Sequence, residues 1–271
     1  MKRLALIGLD CADPTLLREL LPGLPTIRKL IENGSFTRLR SVDPPITIPA
    51  WMSMMTGKDP GELGVYGFRN RLEHSYEGLQ IVNSKAFSDA NPIWDTLSHH
   101  GRRSILLGIP GTYPPRPVAG QMVTGLLTPG PDAAFTYPPT LKEDIRRWVG
   151  DFAFDVSAIE AEDKSTLISE ICGMTAQRFE VARRLARRND WDFFAMVEMG
   201  TDRMHHAFWA HHDPLHPLHD PQSPYCDAIR DYYRFLDGEI ASLIEVLADD
   251  VRICIASDHG VQRLEGGGRN Q

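Results

Sequence analysis

Short apolar runs alternate with longer amphipathic stretches along this chain. Unbroken apolar runs predict buried β-strands at residues 4–9, 104–109, 192–198 and 251–256, because strands that are covered on both faces need no polar side. Between them lie stretches with apolar residues at helical spacing, most clearly at residues 227–247. Strands that alternate with helices indicate an α/β fold, in which helices are layered against a largely parallel central sheet.

Capping and breaking residues mark the helix boundaries. Asp13 followed by Pro14 predicts a helix start, since Asp is a preferred N-cap and Pro fits the first helical position. Pro49 predicts the start of another helix, which ends at Gly57, and the proline-rich residues 44–49 predict a rigid extended loop. Further predicted helices are residues 25–33, 91–100, 139–149, 164–188 and 201–209, and further predicted strands are residues 36–40 and 121–127.

Composition and charge exclude several classes of protein. The 271 residues include 29 Lys+Arg and 36 Asp+Glu, and this net charge of −7 disfavours a sequence-independent nucleic-acid binder. The four cysteines have no C-x-x-C spacing, which fits a reducing compartment. No apolar run approaches the roughly 20 residues of a membrane-spanning helix. We therefore expect a soluble, cytoplasmic protein with a single domain over residues 1–271 and without nucleic-acid or membrane partners.

Acidic residues stand at or just beyond the carboxyl ends of three predicted strands. Asp10 follows the first strand, Asp202 comes shortly after residues 192–198, and Asp258 follows the last strand. Ligands of open α/β sheets bind beyond these strand ends. Carboxylates that converge there repel one another, so that a cation is their natural companion. The pattern predicts a metal site at this edge of the sheet.

Two histidines accompany these carboxylates. Asp202 and His206 are four residues apart, which places both on the same side of a helix, and His259 adjoins Asp258 on a loop. Aspartate and histidine together suit zinc or manganese better than calcium. The other histidines of residues 205–219 lie in a polar stretch with three prolines, and they fit a solvated loop better than a ligand cluster.

Thr47 carries a hydroxyl group at a notable position in the chain. It stands just before a predicted helix start, where free backbone N–H groups favour a phosphate. A threonine hydroxyl is a poor nucleophile until a metal or a base activates it. On this stretch alone, a plain capping role for Thr47 is the alternative.

Taken in order, these motifs resemble the alkaline phosphatase superfamily, and most closely its type I phosphodiesterase/nucleotide pyrophosphatase-like branch. The motifs are Gly8-Leu9-Asp10, Pro45-Ile46-Thr47-Ile48-Pro49-Ala50-Trp51, Gly200-Thr201-Asp202 with His206, and Ser257-Asp258-His259-Gly260. The resemblance covers essentially the whole chain. It implies a layered α/β/α sandwich with an inserted cap region at about residues 65–190, which would choose the substrate.

The resemblance also implies a site for two divalent metal ions, with zinc as the first candidate and manganese as the second. The implied ligands are Asp10, Asp258 and His259 for one ion, and Asp202 and His206 for the other. Thr47 would contact the metals and attack phosphorus. The implied activity is hydrolysis of a small-molecule phosphodiester or phosphomonoester through a phosphothreonine intermediate.

The chain departs from the family pattern in three ways. The family adds a further histidine to the second metal from a later segment, and no matching histidine follows Asp258 here. We therefore expect a chain that is truncated at its C-terminus and binds at most one ion tightly. Leu63 stands where many relatives have histidine, but that position does not usually coordinate the metal. Cys11 is not followed by the Cys-x-Pro-x-Arg pattern of sulfatases, which disfavours a sulfatase. A phosphomutase of the same superfamily and a non-catalytic metal- or phosphate-binding remnant stay open as alternatives.

Overall fold

A six-stranded sheet lies at the centre of the computed structural model, which describes residues 3–71, 78–157 and 163–263. The described strands are β1 (Arg3–Leu9), β2 (Arg69–Arg71), β3 (Leu79–Ile81), β4 (Ser104–Ile109), β5 (Gly120–Thr124), β6 (Thr136–Tyr137), β7 (Phe193–Glu198) and β8 (Val251–Ala256). The order across the large sheet is β6-β5-β4-β7-β1-β8, and every neighbouring pair is parallel except β5 and β6. Strands β2 and β3 form a separate antiparallel hairpin.

The described helices fill the connections between these strands. They are α1 (Pro14–Leu20), α2 (Pro25–Glu32), α3 (Thr47–Thr56), α4 (Pro60–Leu63), α5 (Ile93–His99), α6 (Leu141–Val149), α7 (Lys164–Ala186), α8 (Gly200–His212) and α9 (Ala228–Ile244). The Asp13 side chain caps α1 by accepting hydrogen bonds from the backbone N–H groups of Thr15 and Leu16. This cap confirms the prediction from the Asp-Pro pair.

Two hydrophobic cores cover the two faces of the sheet. Ile7 of β1 and Leu107 of β4 point into a core built with α1, α2, α7 and α9. Their neighbours Leu6 and Leu106 point to the opposite face, where the core includes Trp51 of α3 and a side chain of α5, because successive strand residues face opposite sides. The predicted layered α/β/α sandwich with a largely parallel sheet is thus confirmed.

The interior strands match their apolar runs, whereas the edge strand β8 lies at the predicted residues but is only partly buried. Every residue of β4 and β7 is buried, as an unbroken apolar run predicts. The strand predicted at residues 36–40 is wrong, because these residues pair with no strand and leave Leu39 69% exposed. The two-residue β6 is too short to leave a periodic signal, and it was not predicted.

Helix α3 starts two residues earlier than Pro49 predicts. Its first residue is Thr47, and Pro49 is the third, a position where the missing proline N–H costs no intrahelical hydrogen bond. The helix ends at Gly57, whose φ of 70° lies in the left-handed region that glycine adopts without strain. The earlier start makes Thr47 part of the helix rather than of the loop before it.

Residues 65–190 contribute directly to the layered body of the molecule. Strands β4 and β5 belong to the large sheet, and α7 packs into one of its cores. That this range also holds the region that selects the substrate stays a prediction. Across the described residues, we find no helix that combines the length and the apolar character needed to cross a lipid bilayer.

Candidate active site

Three neighbouring strands bring the predicted carboxylates to one edge of the sheet. Strand β1 lies between β7 and β8, and Gly8 of β1 pairs with Val197 of β7 and Ala256 of β8. Asp10 follows β1 directly, Asp258 lies two residues beyond β8, and Asp202 is the third residue of α8, just after β7. The three aspartates therefore lie beyond the carboxyl ends of neighbouring parallel strands, as predicted.

Asp10 lies at the centre of this edge and is fully buried. The indole Nε1–H of Trp51 donates to Asp10 Oδ2 at 2.7 Å. Burial, followed by the negative charges of Asp258 and Asp202, raises the pKa of Asp10 well above its ordinary value, and the Trp51 hydrogen bond opposes this rise. Without a cation, the site therefore disfavours the ionised form of Asp10.

A close packing contact holds the indole in place. A Cβ atom at Gly8 would come within 2.5 Å of Trp51 Cη2, so that only glycine leaves room for this ring at that point of β1. The glycine of the Gly-Leu-Asp motif is thus explained by the tryptophan that bonds the aspartate two residues later.

Asp258 and His259 complete a cluster of three metal-ligand side chains. His259 Nε2 lies 3.4 Å from Asp258 Oδ2 and 3.6 Å from Asp10 Oδ1. One ligand atom from each of the three residues lies within 4.8 Å of the others, and elsewhere among the described residues no group of three His, Cys, Asp or Glu side chains is as close. Carboxylate oxygens and an imidazole nitrogen are a donor set that zinc and manganese accept.

The two carboxylate oxygens of Asp258 differ in their hydrogen bonds. Asp258 Oδ1 accepts a hydrogen bond from the backbone N–H of Cys11 at 3.1 Å, but the buried Oδ2 accepts none. Burial raises the pKa of Asp258 to about 6, although His259 and backbone N–H groups oppose the rise. A buried carboxylate oxygen without a hydrogen bond is costly, and coordination to a divalent ion would satisfy it.

Thr47 contacts two members of this cluster. Its Oγ1 lies 3.5 Å from Asp10 Oδ1 and 3.4 Å from His259 Nε2. Because Thr47 and Ile48 are the first two residues of α3, their N–H groups have no acceptor within the helix. Such a helix start favours an anion, so that the hydroxyl and an anion-binding end of the helix lie side by side.

Asp202 and His206 form a second pair on α8. Asp202 Oδ1 lies 3.4 Å from His206 Nε2, and Asp202 Oδ2 pairs with Arg203 Nη1 at 2.5 Å. Burial raises the pKa of Asp202, but the hydrogen bond and charge of His206 and the charge of Arg203 outweigh it, and the net shift is downward. The same hydrogen bond raises the pKa of His206. Asp202 and His206 therefore lie on the same side of α8, as predicted, and together they offer two metal ligands.

The histidines after Asp202 do not all lie in a loop. Helix α8 extends to His212, three residues beyond its predicted end, and His205 is buried on it. His205 Nδ1 lies 3.5 Å from Cys11 Sγ, and His205 Nε2 lies 3.3 Å from the Tyr233 hydroxyl. Burial lowers the pKa of His205 to about 4. The prediction of a solvated loop is wrong for His205, which is a packed, neutral side chain.

Sequence reasoning missed three residues that support the site. Trp51 bonds Asp10, Cys11 bonds Asp258, and Arg203 pairs with Asp202. Trp51 and Cys11 lie within or beside the motifs, yet no spacing rule tells which of their atoms faces a ligand. Arg203 follows Asp202 directly, so that a basic residue next to a predicted ligand was the available signal.

Replacing Trp51 with phenylalanine should weaken metal binding without unfolding the protein. Phenylalanine fills most of the same space, but Asp10 loses a hydrogen bond that lowers its pKa, so that a proton competes better with the metal. We expect about tenfold weaker Zn²⁺ binding by calorimetry. The control is Trp94→Phe, a change in the same core that does not touch Asp10. Equal losses in both variants would show that only packing matters.

Comparison with known proteins supports the family resemblance that the sequence motifs indicate. The family model described as type I phosphodiesterase / nucleotide pyrophosphatase matches residues 4–269. The crystal structure of phosphonoacetate hydrolase from Sinorhizobium meliloti 1021, in complex with phosphonoacetate, is similar with a TM-score of 0.60 and 16% sequence identity. The similarity covers 96% of this chain and 57% of that one, and it concerns the fold. Among curated proteins, no sequence matches the chain.

Proposed function

Because the chain belongs to the type I phosphodiesterase / nucleotide pyrophosphatase family, we propose that it is a metal-dependent hydrolase that cleaves a phosphate ester through a phosphothreonine at Thr47. The observation that carries this proposal is the position of Thr47 Oγ1, 3.5 Å from Asp10 Oδ1 and 3.4 Å from His259 Nε2. The hydroxyl thus adjoins the three-residue ligand cluster and stands at the first turn of α3.

The charges at this edge support the metal dependence. Asp10, Asp202 and Asp258 are all buried, and a phosphate ester carries negative charge of its own. The carboxylates would repel such a substrate unless cations offset them. Asp10, Asp258 and His259 would hold one divalent ion tightly, and Asp202 with His206, which supply only two ligands, would hold a second ion more weakly. Bound there, the ions would act as Lewis acids that stabilise negative charge on the reacting oxygens.

Thr47 would then form the covalent intermediate. Its Oγ1 forms a bond to phosphorus while the bond between phosphorus and the leaving oxygen breaks, and the leaving group departs with the electron pair. Coordination to an ion would ionise the hydroxyl, and its proton would pass to solvent, because Asp10 Oδ1 and His259 Nε2, its two neighbours at hydrogen-bond distance, would themselves be bound to the ion. Free N–H groups at the start of α3 would bind a phosphoryl oxygen. Water that attacks phosphorus in the covalent intermediate then restores the hydroxyl and releases phosphate from a monoester substrate, or a phosphate monoester from a diester substrate.

A small anionic substrate fits this arrangement. The similar phosphonoacetate hydrolase was crystallised with phosphonoacetate, a compact phosphorus compound. In this chain, Thr47 and Asp258 are each about nine-tenths buried or more, which favours a substrate whose phosphoryl group enters the crevice.

The proposal is tested with purified protein from which metal has been removed by chelation. We expect no turnover of p-nitrophenyl phosphate or bis-p-nitrophenyl phosphate until Zn²⁺ or Mn²⁺ is added. Release of inorganic phosphate from p-nitrophenyl phosphate, or of p-nitrophenyl phosphate from the diester, without transfer of the phosphoryl group to another hydroxyl, identifies a hydrolase rather than a phosphomutase. His259→Ala should lose metal-restored turnover, whereas His100→Ala, a change of an exposed histidine after α5, should keep it. Turnover that survives chelation would refute the metal dependence.

A further inference from the structure

A buried arginine lies directly against the second ligand pair. Arg203 is 9% exposed, and its Nη1 lies 2.5 Å from Asp202 Oδ2. The other side of the same guanidinium faces Asp155, with Nε 2.6 Å from Asp155 Oδ1 and Nη2 2.8 Å from Asp155 Oδ2. The Arg203 guanidinium thus bridges two carboxylates, and its contact with Asp155 is bidentate.

This arrangement divides the two oxygens of Asp202 between two partners. Oδ2 is taken by Arg203, while Oδ1 lies 3.4 Å from His206 Nε2. A carboxylate held at one oxygen cannot rotate freely, so that Oδ1 stays beside the imidazole. Two ligand atoms at this separation can both reach one ion, since zinc lies about 2 Å from each oxygen or nitrogen ligand.

Asp155 keeps the arginine from turning away. The guanidinium is rigid, and a two-point contact fixes its plane as well as its position. Asp155 lies between α6 and α7, far from Arg203 in sequence, and its carboxylate is more exposed than the Arg203 side chain. The pair therefore connects the segment before α7 to the ligand-bearing turn of α8.

We propose that Arg203, anchored by Asp155, is a positioning residue for the second metal ion, because it holds Asp202 Oδ2 and leaves Oδ1 with His206 to the ion. This inference rests on the proposed two-metal function. A contrasting role is competition, in which the guanidinium merely occupies Asp202 in place of a metal. The two roles differ in sign: loss of a positioning residue weakens metal binding, whereas loss of a competitor tightens it.

The test measures Zn²⁺ binding by calorimetry in a His259→Ala background, which disables the three-residue cluster and isolates the second site. Addition of His206→Ala should abolish the remaining binding and so identify it. Arg203→Lys keeps the positive charge but loses the bidentate contact with Asp155. We expect the Zn²⁺ affinity of the second site to fall by about 10- to 100-fold, which is the usual effect of losing a residue that hydrogen-bonds to a metal ligand. Asp155→Asn should lower the affinity in the same direction.

The matched control is Arg178→Lys, which changes another buried arginine whose described hydrogen bonds go to backbone carbonyls of Val197 and Phe154. It should leave the second-site affinity within about threefold of the parent. If Arg203→Lys does not fold, Asp155→Asn alone decides, since that side chain is partly exposed. Unchanged or tighter Zn²⁺ binding in the variants overturns the positioning role. Absence of second-site binding in the His259→Ala parent itself refutes the two-metal proposal and the positioning role with it.

Discussion

Replacing Thr47 with alanine should lower phosphate-ester turnover by about a thousandfold or more, because loss of a covalent nucleophile removes several kcal/mol of transition-state stabilisation. Metal binding should remain, since the three-residue cluster of Asp10, Asp258 and His259 does not need the Thr47 hydroxyl to keep its geometry. Turnover on p-nitrophenyl phosphate and Zn²⁺ content per chain are measured on the same preparation. Metal-loaded but inactive protein is the expected result.

Thr47→Ser is the matched control for this change. Serine keeps the hydroxyl at the start of α3 and removes only a methyl group, so that we expect turnover much closer to that of the parent. Mass spectrometry of the parent, quenched in acid during turnover, should find phosphate on the peptide that contains Thr47. Activity of Thr47→Ala within about tenfold of the parent would exclude Thr47 as the nucleophile.

The central sheet was predictable because its inner strands carry a strong signal. β4 and β7 are buried throughout, and such strands need apolar residues at every position. The strand predicted at residues 36–40 failed because alternation alone does not supply a neighbour to pair with. Register across a sheet and the packing of its margins depend on contacts between residues that are distant in sequence.

The same distinction applies to the site. The rule that ligands gather beyond the ends of parallel strands predicts that Asp10 and Asp258 come together, although they are 248 residues apart by their numbering. The motif order then identifies the family, which the family model confirms. The partners of these ligands were not predictable, because the contacts of Trp51 and Arg203 depend on how α3 and α8 pack. The basic residue next to Asp202 was a signal for Arg203, but adjacency in sequence does not determine which side-chain atoms this packing brings together.

In the metal-free protein, the ionised carboxylate of Asp258 should lower the free energy of unfolding. Burial raises the pKa of Asp258 to about 6, above the value of about 3.9 in an unfolded chain. Between these two pH values the folded state binds the proton more strongly than the unfolded state. The free energy of unfolding therefore falls as the pH rises from about 4 to 6, and the cost is fully present above that window. A shift of this size corresponds to about 2–3 kcal/mol.

Asp258→Asn should thus stabilise the metal-free protein while it destroys the metal site. Asparagine keeps an oxygen for the Cys11 N–H but cannot ionise, so that at pH 8 we expect a free energy of unfolding about 2–3 kcal/mol higher than that of the metal-free parent, and no difference near pH 4. With Zn²⁺ present the order should reverse, because the parent gains binding energy that the variant lacks. Denaturant unfolding at both pH values, with and without Zn²⁺, measures these differences.

Asp249→Asn, a change of an exposed carboxylate, is the control and should behave as the parent under all four conditions. If metal-free Asp258→Asn has a lower free energy of unfolding than the parent at pH 8, then ionised Asp258 stabilises the fold without a cation, and this prediction is wrong.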